Sequence, residues 1–154
     1  NKEKLFDRVF ENALSRYFEN MDVLTDETMP VKERIHAFAN RFIDFLIEYP
    51  QMALFLIKEV SSNQLLFEEK VNRHKKQGAS MIKILQDAML NRQIQELKPM
   101  LFFVNLVSLC TYPFVANPIF KVVGNKNQIQ WGIGAIDELR TSVHEFIDFK
   151  IKPL

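Results

Sequence analysis

Cysteine, glycine and net charge are all scarce in this sequence, and each shortage removes a class of protein. One cysteine, Cys110, excludes an intramolecular disulfide framework and a cysteine-rich zinc site. With 4 Gly there is no Gly-rich phosphate loop, and neither G-x-S-x-G nor H-E-x-x-H occurs. Lys and Arg number 20 against 19 Asp and Glu, so the net charge of +1 offers no basic surplus for gripping a phosphate backbone. The longest apolar stretch, Met100 to Ala116, is interrupted by Asn105, Ser108, Thr111 and Pro113. It falls short of the roughly 20 apolar residues of a membrane span. No charged leader followed by an apolar run opens the sequence, so the expected compartment is the cytoplasm.

What is abundant is phenylalanine, 14 of 154 residues, in a chain that is 47% hydrophobic and 25% charged. That balance excludes general disorder. The length suits one domain spanning 1–154, able to bury about 70% of its unfolded surface in a single core. So much aromatic surface fills a core or, where side chains leave the middle open, lines a pocket.

Helical periodicity runs nearly end to end and predicts an all-α bundle of about six main helices. Phe6, Val9, Phe10, Leu14, Phe18 and Met21 form one apolar stripe over residues 1–21. A second helix follows Pro30 with a stripe through Val31, Ile35, Phe38, Phe42, Phe45 and Leu46. Pro50 ends it and opens a short third helix, Gln51 to about Val60, apolar almost all round and expected to be buried. Ser61, Ser62 and Asn63 lead into a long fourth helix over about 64–92. The second, third and fourth helices are expected to enclose the core, either filled or hollow. A fifth helix starts near Pro99, and a last one covers about 134–151 with Ile136, Leu139, Val143, Phe146 and Ile147. Asn117-Pro118 and 124–127 read as turns, with Ile119–Val123 the one strand-like stretch.

Few residues offer chemistry. Glu33-x-x-His36 has di-iron ligand spacing but no second copy, and reads as a solvent-facing pair. His144 and Asp148 share a helix face, suited to an ion pair or two metal ligands, too few for a site. Cys110 lacks the electropositive setting of a reactive thiolate. No catalytic residue, cofactor or metal is expected. His74 and Gly78 sit on the apolar stripe of the fourth helix, where a missing side chain beside a polar one leaves room for a ligand. Asn105, on the apolar fifth helix, needs a polar partner.

The opening Asn1-Lys-Glu-Lys-Leu-Phe-Asp-Arg-Val-Phe10 resembles the junction in TetR-family transcriptional regulators where the helix-turn-helix headpiece gives way to the regulatory domain. Phe42-Ile-Asp-Phe-Leu-Ile-Glu-Tyr-Pro50 with Ala53-Leu-Phe-Leu-Ile-Lys-Glu59, and the apolar helix ending Tyr112-Pro113-Phe114, are similar to that regulatory domain as well. The resemblance implies an effector-binding and dimerisation domain of a regulator, expected to be a repressor that releases operator DNA on binding a hydrophobic small molecule. The DNA-reading headpiece is expected upstream of Asn1, so no residue here is assigned a base contact. Phe38, Phe42, Phe45 and Phe55, with His74, Gly78, Met81 and Leu85, and with Phe102 and Asn105, are the expected ligand contacts. The surplus apolar face of the fifth helix calls for a second subunit. Leu101, Val104, Leu109, Leu139, Val143 and Phe146 are the expected homodimer contacts in a four-helix bundle. The rival readings are a helical-bundle enzyme and a helical interaction module with a filled core.

Overall fold

The chain is organised around its second helix. In a computed structural model describing residues 1–74, 80–127 and 133–154, eight α-helices follow one another: α1 (Lys2–Asn20), α2 (Val31–Glu48), α3 (Met52–Ser62), α4 (Gln64–His74), α5 (Met81–Leu90), α6 (Pro99–Val115), α7 (Asn117–Asn127) and α8 (Ile133–Lys150). A 3-10 turn, Met21–Thr25, joins α1 towards α2. Among the described residues there is no strand. The nearest to one is a lone antiparallel bridge from Ile94 to Pro153, where the Gln95 N–H donates to the Lys152 carbonyl at 2.8 Å.

α2 packs against α1, the 3-10 turn, α5, α6 and α8. Its buried residues, Ile35, Phe38, Ala39, Phe42, Ile43 and Leu46, recur every three or four positions, so one wide stripe serves all these neighbours. The helix stops at Glu48 because Tyr49 precedes Pro50, whose ring disfavours helical backbone before it, and Tyr49 sits at φ −126°, ψ 64°. α5 contributes Met81, Leu85 and Ala88 to the core, α6 Phe102, Leu106 and Cys110, and α8 Val143 and Ile147.

Three sequence expectations change. The long fourth helix is interrupted: Ser80 is extended (φ −116°, ψ 115°), and its hydroxyl accepts the Lys83 N–H at 3.4 Å as the N-cap of α5. The stretch read as turns and a strand is helix α7, since Pro118 in a first turn lacks only an N–H that has no helical partner. α3 is not buried all round. Met52 and Ala53 face inward, but Leu54 and Ile57 are exposed, because an 11-residue helix packed on α4 and α6 covers one side only. Of the two alternatives for the middle of the bundle, it is filled: Phe38, Leu85 and Leu106 are each 0% exposed. No single helix among the described residues is long and apolar enough to cross a membrane, and α6 meets α7 at a 61° bend.

Candidate functional site: an aromatic cavity between α1, α2, α3 and α6

The open space lies to one side of the filled core, towards the C-terminal end of α2. There a cavity of about 400 Å³ is walled by Tyr17 of α1, by Phe42, Phe45 and Leu46 of α2, and by Met52, Ala53 and Ile57 of α3. α6 closes the remaining side with Val107, Ser108, Thr111, Tyr112 and Val115, a run of one helix face. The volume falls in the range of small-molecule sites. Ile57 and Tyr112, both well exposed, form its lip.

Local sequence explains the gap. α3 turns off α2 at Pro50 and presents Ala53 where a larger side chain would reach the aromatic wall. The wall itself is a set of packed rings. The Tyr17 ring stands edge-on to Phe18 and Phe42 at 5.3 and 5.6 Å and tilts against Phe45 at 5.9 Å, while Phe42 and Phe45 lie nearly parallel. Each such pair adds roughly 0.5–1.5 kcal/mol beyond burial. Polar atoms are few. The Thr111 hydroxyl donates to the Val107 carbonyl within its own helix. Tyr17 is half-buried, and burial pushes its pKa upward, so its phenol stays protonated. No charged side chain lines the space.

Of the expected ligand contacts, Phe42 and Phe45 line this cavity. The others do not. Phe38 is packed beneath Phe42, ring on ring at 5.7 Å, and Met81 and Leu85 fill the core between α2 and α6. Phe55 meets Phe10 edge-on at 5.0 Å, facing α1 rather than the space. Phe102 stacks on Phe146 at 5.4 Å. Asn105 is half-buried on α6, outside the cavity-lining face. His74 is engaged elsewhere: its Nε2 bonds Glu11 of α1, which also takes Arg73 at 3.3 Å. Next to them Lys70 lies over the Phe10 ring and reaches Asp7 at 3.4 Å. Gly78 lies outside the described residues. The residues that sequence reasoning missed carried one usable signal. Ser108 and Thr111, polar interruptions in an otherwise apolar helix, mark the face of α6 that meets the opening.

A second cluster joins α2 to α8. The rings of His36 and His144 stack with centroids 4.5 Å apart and their Nδ1 atoms in contact. His36 Nε2 is 2.9 Å from the Asp148 carboxylate, which Lys32 approaches at 3.6 Å, and His144 Nε2 is 2.9 Å from the Asn40 side-chain oxygen. His36 is therefore not solvent-facing with Glu33. Every contact has one donor when His36 carries both ring protons and His144 carries its proton on Nε2. Burial first, and then the neighbouring His36, hold the His144 pKa below its ordinary value. Among the described residues no group of three or more His, Cys, Asp or Glu is placed to hold a metal. Cys110 is wholly buried, with its thiol pushed up to about 12 by that burial.

On the outer face of α6, Leu101, Val104 and Leu109 are exposed, together with Met100 and Tyr112. On α8, which packs against α6, Leu139 and Phe146 are half-buried. Val143 does not belong to that surface: at 1% exposure it points into its own core with Ile147, so a second copy cannot meet it. Periodicity placed it on an apolar stripe, and that stripe turns inward. No known family model matches this chain, and no curated protein is detectably similar to it.

Proposed function

We propose that this chain is the effector-binding and dimerisation domain of a TetR-type transcriptional regulator, a repressor whose effector is a hydrophobic small molecule held in the cavity between α1, α2, α3 and α6. The observation that carries the reading is that Tyr17 of α1 forms one wall of an otherwise apolar cavity. A compound seated there touches the first helix of the domain directly. In the regulator that helix leads to the headpiece, so the ligand favours the helix position that fits around it and shifts the population of headpiece arrangements. Two recognition helices must stand about 34 Å apart to reach successive major grooves, so a small tilt weakens the operator complex. The exposed Leu101, Val104 and Leu109 face, flanked by Leu139 and Phe146, is the surface for a second copy in the homodimer.

Nile red, a neutral dye bright only in apolar surroundings, tests the binding step. Saturable one-to-one enhancement with the parent, lost in Ala53→Trp, is the expected result. Enhancement equal in both, or none in the parent, overturns the reading. Sedimentation of Leu101→Glu with Val104→Glu is expected to show a monomer where the parent is a dimer.

A further inference from the structure

We infer that α3 and α4 together form a lid on the cavity, strapped to α1 by a seam of opposite charge; the gating half of this rests on the cavity being a ligand site. α4 is not held as the core helices are. Its one buried residue is a lysine, Lys70, and Leu65 and Leu66 are exposed. Phe67, half-buried, is the apolar side chain it packs against the core. What α4 offers α1 instead is charge. Lys70, Arg73 and His74, three and four residues apart, share one face of α4, and Asp7 and Glu11, four apart, share one face of α1. Lys70 Nζ lies 3.4 Å from the Asp7 carboxylate and Arg73 Nη2 3.3 Å from Glu11, to which His74 Nε2 also donates. In this seam the basic groups are all on α4 and the carboxylates all on α1. Asp7 and Arg73 are well exposed, so dissolved salt reaches and screens the seam.

α3 shares the fastening. Asn63 alone separates it from α4, and the two helices pack on each other. Both also sit on one ring of α1: Lys70 lies over Phe10 at 4.9 Å, and Phe55 of α3 meets Phe10 edge-on at 5.0 Å. Opening the seam therefore frees α3 with α4. α3 carries Met52, Ala53 and Ile57 of the cavity wall, and Ile57 is already on the lip. The other walls belong to α1, α2 and α6, and α2 packs on both of the others through the filled core. Release of the hairpin widens the mouth, and closure of the charge seam shuts it.

Hydrogen exchange at peptide resolution tests the strap with no ligand present. Exposed ion pairs are each worth up to about fivefold in an equilibrium constant. Between 50 mM and 1 M NaCl, protection in α3 and α4 is expected to fall about fivefold, with α2 and α8 changed by less than about twofold. Glu11→Gln, which keeps the shape but removes the charge that Arg73 and His74 share, is expected to give the same loss at 50 mM NaCl. Arg16→Gln, which breaks an equally exposed pair of α1 with Glu48, is expected to leave α4 unchanged. Exchange in α4 that ignores both salt and Glu11→Gln, or a loss spread equally to α2, overturns the strap. Stopped-flow mixing with Nile red at 50 mM NaCl tests the gate. In Glu11→Gln the association and dissociation rates are both expected to rise about fivefold, leaving the affinity within about twofold of the parent. Unchanged rates beside faster exchange overturn the gate and leave the strap. Failure of the parent to bind Nile red overturns the ligand site and the gate with it, and the exchange result still decides the strap.

Discussion

The two ends of α2 meet their surroundings differently. Around Phe38, near the N-terminal half, α5 supplies Met81 and Leu85, α6 supplies Leu106, and every side chain is out of contact with water. Around Phe42 and Phe45, a turn or two further on, the facing helix is α3, which offers Ala53 and leaves about 400 Å³ open. The same residue type is core packing in one place and pocket wall in the other. The length and side chains of the facing helix, not the phenylalanine, decide which.

That contrast can be broken on the filled side first. Val143→Glu puts a carboxylate into the core between α8 and α2, costing several kcal/mol for a charge without a partner. The expected outcome in circular dichroism is loss of the cooperative melt, not a folded monomer. Leu85→Ala should cost about 2–5 kcal/mol in urea unfolding, through lost burial and the void left behind. Ile57→Ala on the cavity lip, 59% exposed, should stay within about 0.5 kcal/mol of the parent. A matched pair of small-to-large changes sharpens the point. Ala39→Leu, at a position 0% exposed in the filled half, should destabilise by roughly 1–3 kcal/mol through overpacking. Ala53→Leu grows into open space and should be close to neutral, while weakening ligand binding.

Acid should loosen the filled half selectively. The joint between α2 and α8 gathers His36, His144, Asp148, Lys32 and Asn40, with Arg140 bonded to Asp44 alongside. Because the folded state holds His144 below its ordinary 6.5, the fold prefers the neutral ring. That share of stability is complete above pH 6.5 and is lost as pH falls towards the lowered folded value. A second proton on the pair would set donor against donor at the two Nδ1 atoms. Asp148 is held below its ordinary 3.8, chiefly by the hydrogen bond from His36, so its share is present above 3.8 and goes only at lower pH. The melting temperature should therefore drop first below pH 6.5, and His144→Gln should flatten that step. An identical pH profile in the variant would refute the assignment.

The sequence made most of the bundle legible and little of the site. α1, α2, α6 and α8 follow from apolar residues at helical spacing, since a stripe is the same signal wherever it packs. α7 was hidden because Asn117, Pro118 and Gly124 are turn formers that a helix also tolerates at its ends or at some cost within. Phe42 and Phe45 could be placed in the cavity, but Phe38, Met81 and Leu85 could not be told from them. Periodicity says which side chains turn inward and is silent on whether the facing helix is large enough to fill the space. Val143 failed for the same reason: an apolar stripe does not say whether its own chain or a second copy covers it.

The filled half and the ligand-accepting half of α2 are told apart by a ¹H–¹³C methyl spectrum of the chain titrated with 2-acetylnaphthalene. Saturable shifts are expected at Leu46, Met52, Ile57, Val107 and Val115, all following one binding curve, with Met81, Leu85 and Leu106 unmoved. Shifts spread through both halves, or confined to the outer Leu101, Val104 and Leu109 face, would contradict that division.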